Sequence, residues 1–219
     1  MIGIWKFHVY NRAGRAEILS FLKLAKGCTR LLDLGASAGI FSALFAVSRP
    51  SSDIVSVEPD GLSFDLLGET IDANRKGDSP WRRERVAVGA STGAIRFVST
   101  GFGGSVATDD GAGEEVRVET MRDLCARLDF KPDLVKIDVE SFEDEILSVS
   151  LEWLQQMKPA LFLELHWQFL VDRDKDPEAL LERLRTIGLK MNDGRSIPAV
   201  SKRHLDRDGC TRLALNWAK

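Results

Sequence analysis

Three stretches of this chain hold residues that could do chemistry. Residues 31–42 read LLDLGASAGIFS, residues 134–145 read LVKIDVESFEDE, and residues 161–167 read LFLELHW. In the first, apolar Leu31 and Leu32 lead to Asp33, then to Gly35, Ala36, Ser37 and Gly39, and a helix-compatible run follows over 40–47. A glycine turn between a strand and a helix brings bare backbone close to a phosphate, a dinucleotide or another ligand. The other two stretches deliver Asp138 and Glu140, then Glu164 and His166, from the ends of two apolar runs. Carboxylates crowded at a cleft raise one another's pKa, which suits general-base work.

The glycine spacing narrows the ligand. A P-loop needs GxxxxGK[ST], because a lysine and a hydroxyl must meet phosphate and magnesium. The chain has no such segment. A dinucleotide turn needs GxGxxG for close approach to a pyrophosphate. Those positions here hold Gly35, Ser37 and Ile40, so only the first glycine fits. What remains is a DxGxxxG pattern from Asp33 to Gly39.

Elements of regular period must position these residues. Residues 13–26 predict a helix, with Ile18, Leu19, Phe21, Leu22 and Leu24 on one broad face and Gly27 ending it. TRLLDLG reads as a first strand and GIFSALFAV as a buried helix. Ile54, Val55 and Val57 form a second strand that ends at Glu58 and Pro59, and a helix follows over 61–75. RERVAVGA reads as a third strand, closed by Val88 and Gly89. Residues 90–119 break the pattern, with alternating pieces around 94–98 and 116–119 about a Gly-rich loop. They predict an inserted hairpin or flap, whose loop could act as a lid. The regular order then resumes. MRDLCARL is helical, PDLVKIDVE is a fourth strand, SFEDEILSVSLEWLQQM is helical and PALFLELHW is a fifth strand. DPEALLERLRTIG is a helix, and LKMND and TRLALNW are final strands. Alternating strand and helix predict one α/β domain over residues 1–219, with a mostly parallel sheet and a helical extension at 1–28.

Composition excludes some classes. The 219 residues are 44% hydrophobic and 29% charged, ordinary for a soluble globular chain. A formal net charge of -3 argues against a dedicated nucleic-acid binder. Cys28, Cys125 and Cys210 form no CxxC pair, which fits reduced thiols in a cytoplasmic protein. No apolar run is long enough to span a bilayer, and the first residues carry no leader pattern. The cluster Trp81-Arg82-Arg83-Glu84-Arg85 reads as solvated surface. Lys202, Arg203, His204 and Arg207, between the last two strands, could meet an anionic acceptor.

The DxGxxxG turn resembles the first motif of class I S-adenosylmethionine-dependent methyltransferases. VKIDVESFEDEIL followed by PALFLELH resembles the FkbM family, whose pattern is roughly KIDVEGxExxxL and then a strand ending in an ExH-like segment. Asp138, Val139, Glu140, Glu143 and Leu147 match it, and Ser141 stands where the family carries glycine. The resemblance runs from about residue 30 to about residue 166. It implies a Rossmann-like fold: a mostly parallel seven-stranded sheet, helices on both faces, and an inserted β-hairpin after the third strand. It also implies S-adenosylmethionine as cofactor, leaving as S-adenosylhomocysteine. Asp33, Gly35, Ala36, Ser37 and Gly39 would then hold its methionine and ribose. Glu58, with Pro59 after it, would accept the ribose hydroxyl protons, a task suited to a carboxylate that also repels a 2′-phosphate. Val88 and Gly89 would border the adenine, and Asp138 the reactive end. Asp138, Glu140, Glu164 and His166 are the implied catalytic set, acting on a hydroxyl of a sugar, natural product or similar small acceptor.

Blander readings stand beside these. Ser141 could cap the next helix, leaving Glu143, Asp144 and Glu145 structural or solvated. Glu164 could pair with Lys136, and His166 could be a satisfied core histidine. A divalent ion held by Asp138, Glu140, Glu164 and His166 is chemically compatible, but no two-ligand helix motif favours it. An NAD-dependent oxidoreductase and a non-catalytic binding protein on a degenerate methyltransferase fold remain the alternatives, with an RNA methyltransferase as a variant of the same chemistry. The acceptor's identity and the oligomeric state leave no signature in the sequence.

Overall fold

The computed structural model describes residues 12–75, 77–99, 105–108, 113–199 and 209–218. Its helices are α1 (Arg12–Leu24), α2 (Ile40–Ser48), α3 (Gly61–Asn74), α4 (Met121–Arg127), α5 (Glu143–Met157), α6 (Trp167–Asp172) and α7 (Pro177–Thr186). Its strands are β1 (Arg30–Leu34), β2 (Asp53–Val57), β3 (Trp81–Glu84), β4 (Ala87–Val88), β5 (Gly93–Ser99) and β6 (Ser105–Thr108), then β7 (Glu114–Glu119), β8 (Leu134–Ile137), β9 (Ala160–His166), β10 (Leu189–Met191) and β11 (Cys210–Trp217).

Seven strands make one sheet in the order β10-β11-β9-β8-β1-β2-β3. Pairings from β3 to β9 are parallel, and β11 runs antiparallel to both β9 and β10. The central strands are apolar on both faces, as a sheet covered on both sides requires. Leu31, Ile54, Leu134 and Phe162 pack on one face with Phe21, Phe41, Phe45 and Leu67 of α1, α2 and α3. Leu32, Val55, Val135 and Leu161 point to the other face, against Leu124, Ile146, Leu147 and Leu181 of α4, α5 and α7. Phe21 of α1 meets Phe41 and Phe162 edge-on, with ring centroids 5.0 and 5.4 Å apart. Each buried ring contributes about 2–3 kcal/mol, which ties the first helix to the sheet. The expected doubly covered, mostly parallel sheet is the one observed.

The inserted segment is larger than a hairpin. It is a four-stranded sheet in the order β4-β7-β5-β6, closed over Ala87, Val116 and Val118. The stretch expected as one third strand splits in two: β3 joins the main sheet and β4 pairs with β7. Strand β6 occupies part of the expected Gly-rich loop, and the rest of that loop lies outside the described residues. So do Lys202, Arg203, His204 and Arg207. Helix α6, directly after β9, was not expected from the sequence. No helix among the described residues is long and apolar enough to cross a membrane.

Candidate functional site

The carboxyl ends of β1, β2, β8 and β9 share one edge of the sheet. The glycine turn leaves β1 there. Gly35 has φ +71°, and a Cβ on it would sit 1.7 Å from the Asp138 carbonyl oxygen. Its bare backbone therefore serves first to pass the end of β8. The Gly35 and Ala36 N–H groups both donate to the Val57 carbonyl, at 3.0 and 2.9 Å. Gly39 has φ +85°, and its Cβ would meet Leu67 of α3 at 2.7 Å. The Ser37 N–H donates to Glu58 Oε2 at 2.8 Å, and the Asp60 N–H to Glu58 Oε1 at 2.9 Å. Burial pushes the Glu58 carboxyl up to about 7, against the pull of these two hydrogen bonds. Half-buried Pro59 leads to Asp60, whose side chain caps α3. Val88 and Gly89 lie against β7, where the Gly89 N–H donates to the Glu119 carbonyl at 3.0 Å.

Asp33 is fully buried and accepts from Ser42 Oγ at 2.6 Å. Its other oxygen lies 3.4 Å from Lys136 Nζ. That ammonium also donates to the Gly35 carbonyl at 3.0 Å and to Asp138 Oδ2 at 3.2 Å. Lys136 thus links the glycine turn to the end of β8.

Past β8 the chain turns through two left-handed residues, Glu140 at φ +49° and Ser141 at φ +86°. Ser141 is not the helix cap: Phe142 occupies that position, with no side-chain cap bond. Arg173 holds the turn, its Nη1 donating to the Ser141 carbonyl at 2.5 Å and its guanidinium 3.9 Å from the centre of the Phe142 ring. Asp144 pairs with Arg183 and Glu145 with Arg173, both structural. Glu143 is different. It is fully buried, and its Oε1 lies 2.7 Å from His166 Nδ1.

His166 Nε2 faces Glu140 Oε2 at 3.3 Å and Asp138 Oδ1 at 3.8 Å. Burial works against a charge on this ring. Hydrogen bonds with Cys210 and Glu143, and the charges of Glu143 and Asp138, outweigh it and push the imidazole up to about 12. The ring stacks on Phe169 of α6, centroids 5.9 Å apart, and Phe169 is 53% exposed at the rim. Glu140 is raised chiefly by desolvation, whereas Asp138 is held low because Lys136 and His166 outweigh its burial.

Glu164 takes a partner other than Lys136, the one its blander reading offered. It faces Arg212 across the β9–β11 ladder, and Arg212 Nη2 donates to its Oε1 at 2.6 Å. Arg212 Nε also lies 3.2 Å from Glu17 of α1. Burial, joined by the charge of Asp138, pushes Glu164 up to about 8. Glu143, Arg212 and Glu17 are the residues that sequence reasoning left out of the site. Arg212 had a signal: it is one charge in the apolar strand TRLALNW, and such a charge needs a buried counter-charge.

The FkbM methyltransferase of Methylobacillus flagellatus KT is 18% identical over 70% of this chain and 37% of its own length, with a TM-score of 0.50. Cofactor-bound Rv0187 from MTB is 15% identical over 95% of this chain and 81% of its own, with a TM-score of 0.52. A candidate O-methyltransferase from Klebsiella pneumoniae is 11% identical over 94% and 80%, with a TM-score of 0.50. The fold is that of class I methyltransferases. At these identities the likeness is one of fold, and this chain spans about 37% of the length of the FkbM structure. Neither a protein-family model nor a curated protein matches the chain.

In this methyltransferase-like fold the Glu140–Ser141 turn is costly for L side chains, because a left-handed residue other than glycine pays about 1–2 kcal/mol. The Ser141 hydroxyl recovers little, its contact with Arg173 being 3.4 Å. Ser141→Gly is expected to stabilise the protein by about 0.5–1 kcal/mol, after the entropy that glycine adds to the unfolded chain. Urea denaturation checks this; a destabilised variant would show that the hydroxyl matters more than the backbone.

Proposed function

We propose that this chain is an S-adenosylmethionine-dependent methyltransferase of the FkbM type, acting on a hydroxyl of a sugar, natural product or similar small acceptor. The observation that carries the reading is Glu58: a buried carboxylate at the end of β2, held to the N–H of Ser37 in the glycine turn. A carboxylate there can accept the two ribose hydroxyl protons through its remaining lone pairs. Charge supports the same ligand. Asp33, Asp138, Glu140, Glu143 and Glu164 outnumber Lys136, His166 and Arg212 at the edge. A sulfonium and an ammonium suit that surplus, and the two phosphates of NAD do not.

Methyl transfer is an in-line displacement. The acceptor oxygen forms its bond to the methyl carbon as the carbon–sulfur bond breaks, and the acceptor proton must leave. The acids around His166 favour its charged form, which makes the ring a poor base. Glu140, raised by burial and 41% exposed, takes the proton in this reading. Asp138, paired with Lys136, and Glu164, paired with Arg212, shape the field around it. The chain's main task is alignment, since the cofactor arrives activated.

Calorimetric titration with S-adenosylmethionine and, separately, NAD tests the reading. Binding of the former is expected, weakened about tenfold or more in Glu58→Gln. Its pH dependence has a definite sign. The ligand needs an ionised Glu58, which is protonated below about pH 7 in the free protein, so affinity should fall as pH drops through 7. No heat from S-adenosylmethionine sinks the proposal. Heat from NAD instead revives the dehydrogenase reading, and silence from both favours a degenerate binding fold.

A further inference from the structure

We propose that Glu143 is a positioning residue for Glu140: one buried carboxylate oxygen brackets both the turn that carries Glu140 and the ring that faces its side chain. The bracket stands on its own geometry; its part in methyl transfer rests on the methyltransferase reading. Glu143 Oε1 accepts from the Ser141 N–H at 3.2 Å and lies 2.7 Å from His166 Nδ1. The far nitrogen of that ring, Nε2, lies 3.3 Å from Glu140 Oε2. Glu140 and Ser141 are neighbours in the chain, so these contacts close a loop. It runs from the Glu140 backbone through Ser141, Glu143 and His166, and back to the Glu140 carboxylate.

Strain and burial both say that the loop does more than begin a helix. Glu140 and Ser141 have φ of +49° and +86°. Left-handed residues other than glycine persist only where their surroundings over-determine them. The acids in the first turn of α5 also differ in use. Asp144 and Glu145 pair with Arg183 and Arg173, whereas Glu143 is fully buried and turned to the imidazole. A helix macrodipole favours an acid near this end, but it does not require one out of reach of water. A buried carboxylate is tolerable only beside an opposite charge, and His166 supplies it. Glu143 Oε2 has no hydrogen-bond partner among the described residues, so this side chain works through Oε1.

The consequence falls on Glu140. The ring engages its Oε2 and leaves Oε1 to the acceptor proton, on a side chain that is 41% exposed. Burial raises the Glu140 carboxyl and the ring's charge lowers it, with burial prevailing, so the bracket costs the base only part of its strength. A base already held in place has less freedom to lose when the acceptor arrives. Glu143 itself touches no acceptor; it acts through Ser141 and His166. Other groups face the same ring: Asp138 from the end of β8, Cys210 from β11, and Glu164 on β9 itself. They set the background against which the effect of Glu143 is read.

The test is long-range 1H–15N NMR of the full chain, with the His166 signals assigned by their loss in His166→Gln. In the parent, Cys210, Glu143 and Asp138 hold the imidazole at about 12 against its burial, so both ring nitrogens should stay protonated to about pH 10. Glu143→Gln keeps the volume and an acceptor oxygen but removes the charge. The ring's midpoint should then fall by about two units or more, into the measured range. Glu140→Gln should lower it by about one unit, which reads the contact across Nε2. Glu145→Gln, whose acid pairs with Arg173, should leave it in place. No fall in Glu143→Gln or in Glu140→Gln overturns the bracket, as does an equal fall in Glu145→Gln. If thermal unfolding shows that Glu143→Gln does not fold, the parent spectrum decides. A Nδ1 proton and a Ser141 amide both shielded from exchange support the bracket; a bare Nδ1 or an unshielded Ser141 amide overturns it. Calorimetry of the parent with S-adenosylmethionine separates the two readings. Cofactor bound without the bracket removes this inference alone; a bracket found without cofactor binding keeps the loop and removes the methyltransferase.

Discussion

Gly35→Ala is expected to cost about 3 kcal/mol or more of folding stability, and Gly27→Ala only about 1 kcal/mol. Both glycines have positive φ, +71° and +92°, so both alanines pay the left-handed penalty of about 1–2 kcal/mol. Only Gly35 has a neighbour. Its Cβ would overlap the Asp138 carbonyl at 1.7 Å, while nothing lies within 4 Å of one on Gly27. The Asp138 backbone has little freedom to retreat, because its N–H donates to the Leu34 carbonyl at 3.1 Å and the strand before it pairs on both sides. Overpacking of this kind adds about 1–3 kcal/mol. Parallel urea titrations of the two variants make the comparison. Equal losses would mean that the β1 turn and the end of β8 yield together, and that close approach is not what requires glycine at position 35.

Lys136→Met is expected to cost about 3–5 kcal/mol at pH 8, the usual loss when one partner of a buried pair is removed. The Lys136 side chain is 3% exposed and its partner Asp33 1%. Burial works against the ammonium, but Asp138, Asp33 and Glu164 outweigh it and hold the lysine above its ordinary range. Without it, the turn carbonyl and two carboxylates lose their common donor. The loss should depend on pH with a definite sign. In the parent, Asp138 is held below the usual carboxylate range, so it adds stability above that range and loses it as pH falls further. In the variant the ammonium no longer opposes burial, so the Asp138 carboxyl rises and takes a proton more readily. The gap between parent and variant should therefore narrow on acidification. Denaturation at pH 8 and pH 5 checks this, and a gap that stays constant would show that the lysine acts by filling space.

The sheet was legible because its central strands are uninterrupted apolar runs between breakers, and β1 and β8 need little else. The insert was less so. Short alternating strands such as Ser105–Thr108 sit inside Gly-rich sequence, and local composition resembled a loop until β5 supplied a partner. At the site, Asp138, Glu140 and His166 were visible as polar residues ending apolar strands. Glu143 was not, because an acid in the first turn of a helix already satisfies the macrodipole and gives no hint of a buried imidazole. The true partner of Glu164 is hidden in the sequence for a related reason. Lys136 lies close in the sequence pattern, whereas Arg212 reaches it only through the antiparallel register of the last strand.

That last strand also sets an order of events for the growing chain. β9 is buried along its whole length, and one of its two neighbours is β11, some forty residues further on. Until Cys210–Trp217 is synthesised, β9 offers an unpaired apolar edge, and β10, which among the described residues pairs with β11 alone, has no place in the sheet. An open edge of this kind invites a second chain as readily as its own. A chain stopped before Cys210 would leave Glu164 without its arginine and keep that edge open, so aggregation rather than slow local folding is the fate the topology assigns to it.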